Sequence, residues 1–262
     1  MGDALVHIDL WIGVLLVFGG VFAGYVNAIA GGGSALTIPL LMVFGIDVAA
    51  ANGTNRIAVG IQAVAATASF HQQNVRPWRP AMRSLIYVLV GAVVGAFMAV
   101  RLPLQALELA FALIFLVLAV VIGRGGGLLR PPENAAAYSP LMQGMGFVGI
   151  GVYAGVFQAG VGIPLMLALI QFSGLNVVQA NGAKALIIAI YTSIIILVFS
   201  WADQLVWSYG LLVGAGGVLG SWLGTRAVIE KGASLVRGVV VLVLGFAGIR
   251  SLWIAVSENT SW

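Results

Sequence analysis

Cysteine is absent from the 262 residues of the chain, which excludes disulfides, thiol catalysis and cysteine-based metal sites. Histidine is almost absent. The two present, His7 and His71, are too few to build a metal-ligand cluster. Charge is equally scarce: twelve basic and eight acidic side chains make up 8% of the chain, against about 25% in an ordinary soluble domain. So few polar side chains cannot cover a soluble protein of this length. A water-soluble enzyme, a disordered chain and a nucleic-acid binder are thereby excluded. The net charge of +4 is too small for a phosphate-binding footprint and reads instead as membrane-orienting charge. The N-terminal stretch carries Asp3 and Asp9 and lacks the basic start of a signal peptide.

What is present is apolar. Hydrophobic residues make up 61% of the chain, and the mean hydropathy is +1.09. Apolar stretches fall at 10–30, 34–46, 55–72, 82–101, 105–123, 140–159, 162–173, 182–201, 206–226 and 235–256. Most approach the roughly 20 residues that a helix needs to cross a bilayer. Two, 34–46 and 162–173, are short, and each follows a glycine cluster. The runs are continuous, without the alternation of a membrane barrel.

The two halves repeat each other. Gly20, Gly24, Asn27, Gly31–Gly33, Pro39, Asp47 and Asn52-Gly53 in the first half find counterparts in order in the second. These are Gly151, Gly155, Gln158, Gly160–Gly162, Pro164, Asn176 and Asn181-Gly182. Farther on, Gly91, Gly95 and Arg101 match Gly216, Gly220 and Arg226. About five segments per unit is an odd number, so the second unit would start from the opposite side of the membrane. The expectation is an all-α integral membrane protein of about ten transmembrane or broken helices in two inverted five-segment repeats. These would occupy 1–123 and 140–262, joined by a glycine- and proline-rich linker at 124–139.

Lysine and arginine set the orientation. One side would hold Arg76, Arg79, Arg83, Arg124, Arg130, Arg226, Lys231 and Arg237, the other Arg101 and Arg250. This makes the linker cytoplasmic and puts both termini outside.

Two constellations could carry chemistry. The first is Asn27-Ala-Ile-Ala-Gly31-Gly32-Gly33-Ser34 with Asn52-Gly-Thr54-Asn55-Arg56. Three glycines weaken a helix by about 1 kcal/mol each relative to alanine, and the backbone groups freed by a break need protein or a water-lined cavity. Asn52 is placed to cap a helix starting near Gly53, whose positive end would then face the break and suit an anion. The second constellation is Gln158-Ala-Gly160-Val-Gly162 with Asn181-Gly-Ala-Lys184. In an inverted repeat the breaks meet near the midplane, bringing Arg56 and Lys184 to one cavity with no acidic residue in either motif. Charged side chains within membrane segments usually mark a ligand path. The structural alternatives are interfacial caps for Asn52 and Asn181 and snorkelling for Arg56 and Lys184. The glycines at four-residue spacing read as helix-packing sites, within one chain or between subunits, which leaves a homo-oligomer open. Paired carboxylates, a Ser-His-Asp set and a nucleotide loop are all missing.

The string from Asn27 through Ser34, Thr37 and Pro39, followed by Ala51-Asn52-Gly-Thr54-Asn55, resembles the TauE/SafE family of sulfite exporter-like membrane permeases. The second-half string Ala180-Asn181-Gly-Ala-Lys184-Ala-Leu fits the same family. The resemblance covers nearly the whole chain. It implies movement of a small sulfur-containing anion such as sulfite, thiosulfate or an organosulfonate like sulfoacetate, and no cofactor. The expectation is a secondary transporter of the inner membrane, its ligands being Asn27, Gly31, Gly32, Gly33, Ser34, Asn52, Thr54, Asn55, Arg56, Gln158, Gly160, Gly162, Asn181 and Lys184. The alternative is a passive anion channel of the same fold.

Overall fold

A computed structural model of the chain describes residues 9–102, 129, 131 and 138–258, without the side chains of 237 and 240–258. Among the described residues there are eight helices and no strand. They are α1 (Leu10–Ile29), α2 (Ser34–Val43), α3 (Val48–Gln72), α4 (Trp78–Ala99), α5 (Pro140–Phe157), α6 (Gly162–Ser173), α7 (Val177–Trp201) and α8 (Trp207–Glu258). The last is two helices run together across a bend at Gly232, where φ is 57°. Its two arms match the expected segments at 206–226 and 235–256. The expected segment at 105–123 and most of the linker at 124–139 lie outside the described residues.

Among the described residues five helices are long and apolar enough to cross a membrane: α1, α4, α5, α7 and the first arm of α8. They turn Phe18, Phe22, Ile86 and Leu197 outward, more than half exposed, as suits side chains facing lipid. α3 is 25 residues long yet less apolar, because it carries Asn52, Thr54, Asn55, Arg56 and Gln62, all buried. Its polar face turns inward.

The helix starts correct one expectation. Asn52 does not cap α3, which begins at Val48. Asp47 is the cap, and its carboxylate accepts from the N–H groups of Ala49 (2.9 Å) and Ala50 (3.0 Å). In the second half Asn176 caps α7 by accepting from Gln179 N–H, while Gln179 returns a bond to the Asn176 N–H, a reciprocal capping box. Asn52 and Asn181 lie inside their helices, five residues past each cap. Reading the asparagines as caps misplaced these starts: Val48–Ala51 and Val177–Ala180, ahead of Asn52 and Asn181, are already helical. The positive ends of α3 and α7 therefore sit away from the glycine breaks. The N-termini at the breaks belong to the short helices α2 and α6.

Glycine ridges bring the long helices into backbone contact. On α1, a Cβ at Gly20 or Gly24 would strike the backbone of Val213 or Gly217 on α8. Reciprocally, one at Gly216 or Gly220 would strike the Val17 or Val21 carbonyl. The α4–α5 pair repeats this. Gly151 and Gly155 press on Val88 and Ala92, and Gly91 and Gly95 press on Val148 and Val152. Each contact in one pair corresponds to a contact in the other at the spacing that relates the two halves of the sequence. Small residues allow this approach, and in lipid such packing replaces the hydrophobic drive that lipid cannot supply.

Two substitutions separate contact from propensity. Gly220→Leu should destabilise by about 3 kcal/mol or more, since relieving the clash moves a helix rather than a side chain. Gly149→Ala, whose new Cβ would meet no atom within 4 Å, should stabilise by about 0.5–1 kcal/mol through helix propensity. Thermal unfolding of the purified protein in detergent measures both. Equal effects would refute the contact reading.

Candidate functional site

The two glycine breaks meet. α1 stops at Ile29, and Gly31 takes φ 81°, a left-handed value that glycine adopts without strain. α5 stops at Phe157, followed by Gln158 at φ 54° and Gly160 at φ 71°. A Cβ on Gly31 would run into Gly162 Cα, and one on Gly162 into Gly31 Cα. No side chain fits between these two strands of backbone. Gln158, a residue with a Cβ in the same half of φ space, is a strained position of the kind that clusters at functional sites.

Each broken helix exposes carbonyls at its C-terminus, and each is met by a cation from the other half of the chain. Lys184, on α7, donates from Nζ to the carbonyls of Asn27 (3.0 Å) and Ala28 (3.4 Å) at the end of α1, and to Asn181 Oδ1. Arg56, on α3, donates from Nη1 to the Ala154 carbonyl (3.1 Å) and Gln158 Oε1 (3.2 Å). Its Nη2 donates to the carbonyls of Gly155 (2.6 Å) and Val156 (3.3 Å). The guanidinium carbon stands 4.1 Å from the Phe199 ring centroid, within cation–π range. Cations at helix C-termini complement the negative end of the dipole. Among the described residues Arg56 and Lys184 are the two buried charged side chains, and no buried carboxylate accompanies them.

Amides complete the framework. Asn27 Oδ1 accepts from Gly33 N–H (2.6 Å), and its Nδ2 donates to Gln62 Oε1. Gln158 Oε1 also accepts from Tyr191 Oη (3.2 Å), and its Nε2 donates to Thr192 Oγ1 (3.3 Å). Asn55 accepts from Thr37 Oγ1 and donates to Ser34 Oγ (3.0 Å). Thr54 Oγ1 accepts from Val206 N–H (2.9 Å), tying α3 to the start of α8. Asn52 Nδ2 donates to the Val156 carbonyl (2.8 Å). Asn181 Nδ2 donates to the Val177 carbonyl (3.1 Å) and contacts Met166 Sδ.

Between the breaks is a cavity of about 20 Å³, room for one or two waters. Of the residues proposed from the sequence, Asn27, Gly31, Ser34, Gln158 and Lys184 line it. Gly32, Gly33, Asn52, Thr54, Asn55, Arg56, Gly160, Gly162 and Asn181 do not line it. The wall also includes Gln62 and Ser221, which sequence reasoning missed. Gln62 had a signal: it lies seven residues, two helical turns, beyond Asn55 on one face of α3. Ser221 had none, being one hydroxyl in a glycine-rich helix.

The family model for the sulfite exporter TauE/SafE family matches residues 16–251. The chain belongs to that family. Relatives of known sequence match over most of its length. A probable membrane transporter protein, ORF9, of a Sinorhizobium species is 28% identical over 235 residues, 88% of each chain. The probable membrane transporter protein YfcA of Escherichia coli K12 is 27% identical over 249 residues, 93% of this chain and 90% of that one. A Haemophilus influenzae probable membrane transporter protein is 30% identical over 234 residues, 85% of this chain and 88% of its own. No solved structure matches. TauE/SafE membership and five helices of membrane-crossing length and composition make the chain a multi-pass membrane protein.

Removing either cation strips donors from buried helix-end carbonyls: those of Asn27 and Ala28 lose Lys184, and that of Gly155 loses Arg56. Arg56→Met and Lys184→Met should each destabilise the protein by about 3 kcal/mol, the scale of breaking a buried charged partnership. Unfolding midpoints of the purified variants in detergent test this. Wild-type midpoints would show that the carbonyls find other donors.

Proposed function

We propose that this TauE/SafE protein is a secondary transporter that moves a small sulfur-containing anion across the inner membrane. Sulfite, thiosulfate and organosulfonates such as sulfoacetate are the class, and two inverted five-segment repeats provide alternating access. The observation that carries the reading is the meeting of both glycine breaks at a cavity beside a buried lysine, with buried cations and no buried carboxylate among the described residues. Membrane segments tolerate such charge chiefly where a ligand or ion passes.

Repeat architecture is supported contact by contact. α1 packs on α8 as α5 packs on α4, and the end of each broken helix is capped from the opposite half. Helices broken at a shared midplane site are how inverted-repeat transporters bind their substrates. Gly31 against Gly162 is where the two halves would pivot. The cavity is smaller than a sulfur oxyanion, which fits a closed conformation that must widen to load. The printed names of the relatives, all probable membrane transporters, agree with transport. The excess of basic residues in 71–81, 123–139 and around the bend of α8 at 226–237 supports a cytoplasmic position for those segments and both termini outside.

Proteoliposomes loaded with sulfite, thiosulfate or sulfoacetate should take up the labelled anion with saturation and with acceleration by anion on the far side. Linear flux without trans-stimulation would instead indicate a passive channel. Orientation is separately testable because the chain has no native cysteine. In intact cells an impermeant maleimide should label Asp203→Cys and leave Gln72→Cys unlabelled until the membrane is opened. The reverse pattern would invert the topology.

A further inference from the structure

Three buried polar atoms among the described side chains have no hydrogen-bond partner: Asn52 Oδ1, Arg56 Nε and Gln62 Nε2. Only Gln62 belongs to the cavity wall, and it is 2% exposed. Its orientation is fixed by a chain of donors. Gly33 N–H can only donate, so the atom it meets is Asn27 Oδ1. Asn27 Nδ2 therefore faces Gln62, which must present Oε1. The amide nitrogen left over is a donor with nothing to donate to. A second donor sits on the same wall. Ser34 Oγ accepts from Asn55 Nδ2, so its own hydroxyl hydrogen remains for another acceptor, and Ser34 also lines the cavity.

The charge on that wall is small. Arg56 does not reach it, and both its Nη atoms are engaged by the end of α5 and by Gln158. Lys184 is the charged side chain on the wall. One positive charge and neutral donors suit a single negative charge. A second buried negative charge would stand unpaired, which a low-dielectric site penalises heavily.

We propose that Gln62 is a substrate-binding residue and that the site takes its anion in singly charged form. A sulfonate, or sulfite carrying one proton, would set its oxygens against Gln62 Nε2 and Ser34 Oγ, with Lys184 balancing the charge. This rests on the transporter reading above.

The test uses the full-length protein and three anions at matched ionic strength. Methanesulfonate is singly charged at any working pH, sulfate is doubly charged, and sulfite passes from one to the other near neutrality. Methanesulfonate should raise the thermal unfolding midpoint in detergent by mass action, and sulfate should not. Apparent affinity for total sulfite should fall as pH rises through neutrality, while that for methanesulfonate stays flat. Gln62→Leu should weaken methanesulfonate binding at least tenfold. Gln62→Glu, which keeps the shape and the acceptor for Asn27 but presents an acceptor to the anion, should weaken it further. The unliganded midpoint of each variant reports folding. Sulfate binding as tightly as methanesulfonate would overturn the single-charge assignment and leave sulfur-anion transport standing. Wild-type methanesulfonate binding by a folded Gln62→Leu or Gln62→Glu would overturn the role of Gln62. Failure of all three anions to bind the wild type would remove the transporter reading together with this one.

Discussion

A helix that stops inside a membrane leaves carbonyls that neither lipid nor the next turn can satisfy. α1 and α5 both end at glycine breaks among buried residues, and much else in the protein follows from how their ends are served. Lys184 and Arg56 reach across from the opposite half of the chain and take those carbonyls. A cation at a helix C-terminus faces the negative end of the dipole, so each buried charge has a counterpart of opposite sign without any carboxylate. The insertion penalty on a lysine or arginine at depth is thereby offset within the fold. The same bonds lace the two halves together at the level of the breaks.

This division of labour explains why the site is built from amides and hydroxyls. With Lys184 Nζ and the Arg56 Nη atoms engaged, recognition would fall to neutral donors on the wall and to the backbone. Gly31 and Gly162 bring that backbone together at a distance no side chain permits. Asn27 serves both purposes: its carbonyl is held by Lys184, and its amide clamps Gly33 to Gln62. The glycine ridges between α1 and α8, and between α4 and α5, hold the long helices close enough for such short side chains to bridge them.

Much of this was readable before any coordinates. The landmarks Gly20, Gly24, Gly31, Gly151, Gly155 and Gly162 announced both the packing ridges and the breaks, because glycine in a lipid-facing helix has few other uses. The short segments after each break became α2 and α6 with their expected starts. The caps were misread because Asp47 and Asn176 sit in short glycine-containing loops that resemble ordinary turns, while Asn52 and Asn181 stand beside glycines. Only three-dimensional contact reveals that Asn52 spends its amide on the Val156 carbonyl. The same limit applies to Arg56. Its charge was legible, but whether it faced a ligand or a helix end was not, because both uses ask for a buried cation near a glycine. Ser221 joined the wall through the packing of α8 against α1, a relation that spacing along one helix does not encode, whereas Gln62 shares a face of α3 with Asn55.

The packing is symmetric and the wall is not. Contacts of Gly20, Gly24, Gly216 and Gly220 have counterparts residue for residue at Gly151, Gly155, Gly91 and Gly95. At the cavity the correspondence breaks. By the spacing that pairs Asn52 with Asn181, Lys184 falls opposite Asn55, Arg56 opposite Ala185, and Gln62 opposite Tyr191. Asn27 binds Gln62 on one side while Gln158 accepts from Tyr191 on the other, so the bond is kept and the chemistry of its partner changes. Tyr191 uses its hydroxyl hydrogen on Gln158, whereas Gln62 accepts from Asn27 and keeps an N–H in reserve. A scaffold with matched packing and divergent walls would allow both halves to move alike while a ligand met a different face on each side. The position of an anion between them would then be set off-centre, toward Lys184 and Gln62, by hydrogen-bond bookkeeping at a handful of atoms.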